Sequence, residues 1–494
     1  MPEPVDWPTR DLVTHRVEST PDRTAVVGEH RELTYRELDD AVDEAAVVFD
    51  AFGASRGGRV ATLVDTRAAM SRLLFGAMRT GATLAPLNVE LEAATLESQL
   101  DALDPEVLVC AAPTAERAIE VAPCPVVSLD ASDRGAIDEF DAVASSASPP
   151  PTVELARDDT QLVLFTSGTT SAPKGVRLTV GNLVASATAS AFRLGVRPDD
   201  RWLVCLPTYH MGGLAPFVRS ALYGTTVVVQ RTFDVERTPE MLDAQEVTGV
   251  SLVPTMLTRL LDRGWTPPDS LRFVLLGGGP ASEALVERSR ERGVPVCPTY
   301  GMTETSSQIA TALPETAVEH PGTVGQPLLF TDVRVVADGE PVASGERGEL
   351  VVDGPTVTPG YLDSQQTDAA FGAHGFHTGD IGYRDADGRL WVTGRADDRI
   401  VTGGENVVTS DVASAIRTHP DVTEAAVVGL PDPEWGQRVA ALVVGDVDGS
   451  AVVAHCRERV AGYEVPKTVR IVDALPRTPS GTVDRQAVRT LLEE

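Results

Sequence analysis

Phe165-Thr-Ser-Gly-Thr-Thr-Ser-Ala-Pro-Lys-Gly175 is the most informative stretch of the chain. It sets small and hydroxylated residues around one lysine, between the apolar runs Gln161–Phe165 and Val176–Leu178. A polyphosphate needs hydroxyls and unhindered backbone N–H groups. Gly168 and Gly175 let the chain approach closely, and Lys174 adds a point charge. The pattern is not G-x-x-x-x-G-K-[ST], and a second short strand, not a long helix, is expected to follow. The bland alternative is a Ser/Thr/Gly hairpin with one exposed lysine. Against it, Lys174 is one of only two lysines in 494 residues, the other being Lys467.

Those two lysines and forty arginines face 72 carboxylates, a net charge of −30. Acidic chains can be disordered, but 42% hydrophobic residues in alternating runs argue for a packed protein. Such a field excludes nucleic acid and anionic membranes as natural partners. It suits a protein of an extreme halophile, because at molar salt the Debye length is only about 3 Å and self-repulsion is screened. Cys110, Cys124, Cys205, Cys297 and Cys456 are odd in number and widely spaced, which gives neither a metal pattern nor a disulfide framework and fits a reducing cytosol. Met1-Pro-Glu-Pro-Val-Asp-Trp-Pro8 has neither a basic nor an apolar leader region, and no run approaches about 18 apolar residues. A cytoplasmic location without membrane insertion is expected, and a homo-oligomer is left open.

Between residues 32 and 130, apolar strands (Val60–Val64, Thr83–Pro86, Val107–Val109) alternate with amphipathic segments such as Tyr35–Phe49 and Ala68–Arg79, the rhythm of an α/β fold with parallel strands. Ala144–Pro151 reads as a Ser/Pro-rich surface connector. Alternation resumes through Trp202–Leu206, Thr226–Gln230, Gly249–Val253 and Phe273–Leu276. From about residue 323 short strands and turns predict a small antiparallel, β-barrel-like region. After Arg395 a compact α+β piece is expected: helix 409–418, strands 422–430 and 438–444, helix 450–461 and strand 467–472. The boundary is placed at Asp397, giving domains 1–396 and 397–494.

Three further motifs carry chemistry. In Thr299-Tyr-Gly-Met-Thr-Glu-Thr305 the tyrosine can stack on a base, a threonine can meet an α-phosphate, and Glu304 can hold Mg²⁺. Phe376-His-Thr-Gly-Asp380 offers a carboxylate suited to a ribose diol, and Gly394-Arg-Ala-Asp-Asp398 adds a guanidinium. Singly, each reads as a buried tyrosine, a turn aspartate or a capping aspartate.

In this chain order the segments resemble the adenylate-forming superfamily of acyl-CoA synthetases, adenylation domains and luciferases, from about residue 18 onward. The resemblance implies an ATP- and Mg²⁺-dependent enzyme. A small-molecule carboxylic acid and ATP give acyl-AMP and diphosphate; then coenzyme A displaces AMP. It implies a phosphate loop of Thr166, Ser167, Gly168, Thr169, Thr170 and Lys174, and adenine beside Tyr300, Gly301 and Gly277, Gly278 and Gly279. Thr303 would touch the α-phosphate, Glu304 the metal, and Asp380 and Arg395 the ribose. Asp397 falls on the hinge of a mobile C-terminal lid, and Gly403 and Gly404 line the pantetheine tunnel. His210, in Leu206-Pro-Thr-Tyr-His-Met-Gly-Gly-Leu214, falls where the family has an aromatic or histidine gate, with a core histidine as the alternative.

Leu276-Gly-Gly-Gly-Pro-Ala281 and Tyr300–Ile309 resemble the 2-succinylbenzoate–CoA ligases of menaquinone biosynthesis. Such a dicarboxylate calls for extra polar groups. Ser306, Ser307 and Gln308 could donate, with Arg193 or Arg219 compensating charge, or Ser-Ser-Gln is only a capped helix start. A ligase for another aryl or medium-chain acid is the runner-up.

One position breaks the pattern. The family's lid carries a lysine in Pro-Arg-Thr-x-x-Gly-Lys, whereas this chain reads Pro476-Arg-Thr-Pro-Ser-Gly-Thr482. A hydroxyl supplies no full positive charge to the phosphoryl transition state. Arg485 is the first candidate replacement and Lys467 the second. A nucleotide- or acyl-AMP-binding protein impaired in adenylation is the alternative of another class.

Overall fold

The structure, a computed structural model, describes residues 7–131, 137–146, 153–166, 174–403, 405–477 and 483–494. It divides by contact into two units: Met1–Asp332 with Val352–Phe376, and Val333–Val351 with His377–Glu494.

The first unit is built on two sheets. In the larger, parallel strands run side by side in the order Phe273–Leu276, Gly249–Leu252, Arg201–Val204, Thr226–Val229 and Thr24–Val27. Three of them, starting at 226, 249 and 273, are buried at every residue. That is how a parallel strand covered on both faces reads in sequence, as a continuous apolar run. Val296–Tyr300 continues this sheet in parallel beside Phe273–Leu276. The second sheet places Arg59–Leu63, Thr83–Pro86, Val107–Cys110 and Val126–Ser128 in parallel. It ends in an antiparallel hairpin of Thr160–Thr166 with Lys174–Thr179. The second short strand expected after the phosphate loop is therefore present.

Helix Tyr35–Ala51 starts on a capping box, in which the Glu37 carboxylate accepts the Thr34 N–H and Thr34 Oγ1 accepts the Glu37 N–H. It packs on helix Ala69–Thr80 so closely that a Cβ on Gly76 would stand 2.6 Å from the Ala45 Cβ. The two helices thus meet backbone to backbone.

The antiparallel region expected from residue 323 is a six-stranded sheet that includes Asp332–Ala337, Arg347–Asp353, Gly375–Arg384 and Leu390–Arg395, most of whose residues belong to the second unit. The C-terminal part pairs strand Val422–Asp432 antiparallel with Gly436–Gly445, and Thr468–Val472 lies parallel to the latter. Alternation of side chains divides two cores. Val427, Val439, Ala441 and Val443 pack with Val412, Ile416, Val452 and Cys456, whereas Val428, Leu430, Ala440 and Leu442 pack with Val488 and Leu492. Helix Gly449–Arg457 ends four residues before the sequence suggests; Arg459 and Val460 still donate to the Cys456 carbonyl in a last turn, and Val460 packs against the core.

All five cysteines are free thiols. Burial pushes the Cys205 and Cys297 thiols up to about 12. Among the described residues no helix is long and apolar enough to cross a membrane.

The contact between helices 35–51 and 69–80 is the clearest steric test of this packing. Gly76→Leu is expected to destabilise the protein by about 1–3 kcal/mol through overpacking against Ala45, read as a lower denaturant midpoint with an unchanged slope.

Candidate functional site

Three loops leave the carboxyl ends of parallel strands in one sheet: Cys205–His210 after strand 201–204, Gly277–Gly279 after strand 273–276, and Gly301–Ser307 after strand 296–300. Ligands of open α/β sheets bind at that edge. Glycine is required there by space. A Cβ on Gly277 would meet Thr299 Cγ2 at 2.7 Å, and one on Gly301 would lie 1.6 Å from the Ser307 carbonyl oxygen. The turn after Tyr300 therefore folds back on itself. Thr303–Thr305 forms a single 3₁₀ turn, and Ser306 and Ser307 follow at φ +55° and +115°. Two successive non-glycine residues at positive φ are costly and mark a turn held by its surroundings.

The holding element is the segment Gly354–Leu362. Thr358 donates its N–H to the Glu304 carbonyl (2.7 Å), and Ser306 Oγ donates to the Thr356 carbonyl (3.0 Å). Leu362 donates to Gly175 O (2.8 Å), Arg177 donates to Gly360 O (3.0 Å), and the Asn182 amide bonds the carbonyls of Pro355 and Val357 (2.9 Å each). The strap thereby ties the Glu304 turn to the hairpin strand that begins at Lys174. The Tyr361 hydroxyl donates to Glu304 Oε1 (3.0 Å), and the Lys174 ammonium lies 5.4 Å from the centre of the Tyr361 ring. Gly175 is also required by this packing: a Cβ there would stand 2.7 Å from Leu362 Cδ1.

Thr166 and Lys174 are paired across the hairpin. Ser167, Gly168, Thr169 and Thr170 lie outside the described residues, as do Gly404 and Thr482. Among the described residues no group of three or more His, Cys, Asp or Glu side chains could hold a metal. Glu304 alone fits a Mg²⁺ ion, which takes one or two carboxylates and completes its shell with phosphate oxygens and water.

Arg219 is 2% exposed, and no carboxylate among the described residues pairs with it. One terminal nitrogen donates to Gln308 Oε1 (2.8 Å) and Ser307 Oγ (3.2 Å), the guanidinium lies 5.1 Å from the Trp202 ring centre, and its Nε has no partner. Burial pushes its pKa below the usual arginine value. Arg219 lines a small cavity with Ser306, Ser186, Met211 and Ala215. The capped-helix reading of Ser306–Gln308 fails, since strand Ala310–Thr311 follows. Ser306 and Gln308 are buried and already bonded, Gln308 also donating to Thr311 Oγ1 (2.7 Å). Arg193 donates to the carbonyls of Gln326 and Pro327.

In the second unit Asp380 and Arg395 face each other across a hairpin, with Nη1 and Oδ1 3.3 Å apart. Glu349 braces this turn, accepting the Gly379 N–H (2.9 Å) and bonding His377 Nδ1 (2.8 Å). Asp397 lies in the 3₁₀ turn Ala396–Asp398. Gly403, at φ +60°, packs against Trp435, and Lys467 Nζ sits 4.0 Å from the centre of the Trp435 ring. Arg485 does not stand as a free cation: it pairs with the buried Asp398 at 2.8 Å and donates to the Val427 carbonyl. The expectation that it supplies the missing lid charge meets this counter-ion.

Two family models match, described as AMP-binding enzyme over residues 13–362 and AMP-binding enzyme C-terminal domain over 411–482. This chain belongs to the AMP-binding enzyme family. A 2-succinylbenzoate–CoA ligase of Bacillus licheniformis is 38% identical over 95% of this chain and 97% of that protein. The o-succinylbenzoate CoA synthetase of Bacillus subtilis, solved with its acyl-adenylate intermediate, superposes with a TM-score of 0.88 at 33% identity, covering 98% of each chain. The same enzyme has been solved with ATP and magnesium. ATP-bound MatB of Rhodopseudomonas palustris is 28% identical with a TM-score of 0.90, covering 98% of this chain and 99% of that one.

Tyr361 and the strap were missed from sequence. The Pro359-Gly-Tyr361 turn carried no chemical signal, and its partners lie 57 and 187 residues away. His210, edge-on to Tyr209 at 4.8 Å, precedes helix Met211–Tyr223. Burial holds its pKa below the ordinary 6.5, so the imidazole is neutral at pH 7. The unfolded chain then binds more protons as pH falls below about 6.5, and stability present above that pH is lost on acidification. His210→Asn is expected to flatten this part of the stability–pH curve, measured by denaturant midpoints between pH 7.5 and 5 at fixed salt.

Proposed function

We propose that this chain is an AMP-forming acid–CoA ligase that joins 2-succinylbenzoate to coenzyme A through an acyl-AMP intermediate, a step of menaquinone biosynthesis. Arg219 carries the choice of acid. A buried guanidinium lacking a counter-ion is expensive, and a dicarboxylate offers one when its second carboxylate approaches Arg219. Ser307 and Gln308 orient the guanidinium.

Lys174, with Thr166 and the loop of Ser167 to Thr170, neutralises the phosphates. Glu304 would hold Mg²⁺, which supplies further positive charge to the phosphate oxygens when bound. Tyr300 stacks on adenine beside Gly277–Gly279 and Gly301, Thr303 meets the α-phosphate, and Asp380 and Arg395 take the ribose hydroxyls. His210, neutral and half-buried, gates the acyl carboxylate. Adenylation needs a closed, preorganised site and thioester formation needs a path for a long thiol. Domains 1–396 and 397–494 turning about Asp397 satisfy both, with Gly403 and Gly404 along the pantetheine path. Adenylation proceeds without a lysine at position 482.

The acid follows from a panel assay of AMP and thioester formation at high salt. Benzoate and hexanoate should be rejected by about 10⁴-fold, because they leave Arg219 unpaired. Arg219→Met should lose at least 100-fold in kcat/KM for 2-succinylbenzoate while narrowing the gap to a monocarboxylate of the same skeleton. Comparable wild-type turnover of hexanoate would remove the acid assignment. Tight adenylate binding with no acyl-AMP from any acid would make the chain a nucleotide-binding protein.

We also propose that the protein works in the cytoplasm of an extreme halophile, a reading supported by its 72 carboxylates against 42 basic side chains. Its melting temperature is expected to fall steeply as KCl is lowered from molar to about 0.1 M, where self-repulsion is less screened. A melting temperature independent of salt would count against this origin.

A further inference from the structure

Lys174 and Glu304 carry opposite charges, yet they make no direct ion pair. Tyr361 stands against both: its ring faces the ammonium, 5.4 Å from ring centre to Nζ, and its hydroxyl donates to Glu304 Oε1 at 3.0 Å. The tyrosine itself is firmly placed. It is 4% exposed, its N–H donates to Thr367 Oγ1 (2.9 Å), and it bridges Val176 of the hairpin strand. Gly360 before it has φ +131°, and a Cβ there would lie 2.4 Å from Thr367 Cγ2. Only glycine lets the strap make that bend and set the ring against Lys174 and its hydroxyl on Glu304.

We propose that Tyr361 is a positioning residue for the metal–nucleotide site, fixing Glu304 for the ion and keeping Lys174 from collapsing onto it. The inference rests on the ligase reading of Lys174 and Glu304. A phenol on Oε1 restrains the carboxylate, the role that outer hydrogen-bond partners play for metal ligands. A ring face holds an ammonium by its quadrupole without neutralising it, so the charge stays available to phosphate. Were the ring absent, a Lys174–Glu304 pair would cancel both charges in the nucleotide-free protein.

The two contacts separate by substitution. Tyr361→Phe keeps the ring under Lys174 and removes only the hydroxyl. It should weaken binding of Mg²⁺–ATP by about tenfold in calorimetry while leaving metal-free ATP binding within twofold of wild type. Tyr361→Leu removes both contacts and should weaken metal-free ATP binding as well. Restoring charge separation through Glu304→Gln in the Leu background should recover part of that loss, which general damage to the fold would not. Unchanged Mg²⁺–ATP affinity in Tyr361→Phe overturns the proposal. Equal weakening with and without metal also overturns it, because the hydroxyl would then not act through the ion site. These binding measurements stand apart from turnover. If wild type binds Mg²⁺–ATP but forms no acyl-AMP, the ligase reading fails and the positioning role is still decided.

Discussion

The strap Gly354–Leu362 is the constraint on which the nucleotide site depends. Its backbone joins a hairpin edge of one sheet to a turn at the carboxyl edge of another, through hydrogen bonds at Gly175, Arg177 and Glu304 and side-chain bonds from Asn182 and Ser306. Each bond is worth about 1 kcal/mol in stability, and their value lies in being many and directional. Without them the two positive-φ serines after Glu304 would have nothing to hold them. Lys174 and Glu304 would lose the element that contacts both.

Charge in this protein is managed differently inside and outside. Outside, carboxylates dominate and solvent salt screens them. Inside, the second unit gives its partly buried arginine a counter-ion: Arg485 has Asp398. In the first unit Arg79 has Asp11 and Asp39. Arg219, the most deeply buried of the described arginines, has no carboxylate among the described residues and is held by Ser307, Gln308 and an aromatic face. A structural arginine is seldom left in that condition, because burial without a counter-ion penalises the charged form directly. The acid proposed as substrate would bring the missing anion during turnover.

Fold alone does not choose the acid. MatB of Rhodopseudomonas palustris superposes slightly better than the succinylbenzoate enzyme of Bacillus subtilis, at lower identity. Backbone likeness reports the shared architecture, whereas specificity is set by side chains at the site.

Sequence by itself determined the α/β class, the run of strands and helices, and the family, because hydrophobic period and local motif are properties of neighbouring residues. Strands such as Phe273–Leu276 and Thr83–Pro86 fall where the apolar runs place them. Tertiary structure alone decided what those residues face. It set Tyr361 against both Lys174 and Glu304, buried Arg219 beside Gln308, and gave Arg485 to Asp398. These contacts join residues 57 to 187 positions apart, and no periodicity within either partner's segment encodes which distant segment will be folded against it.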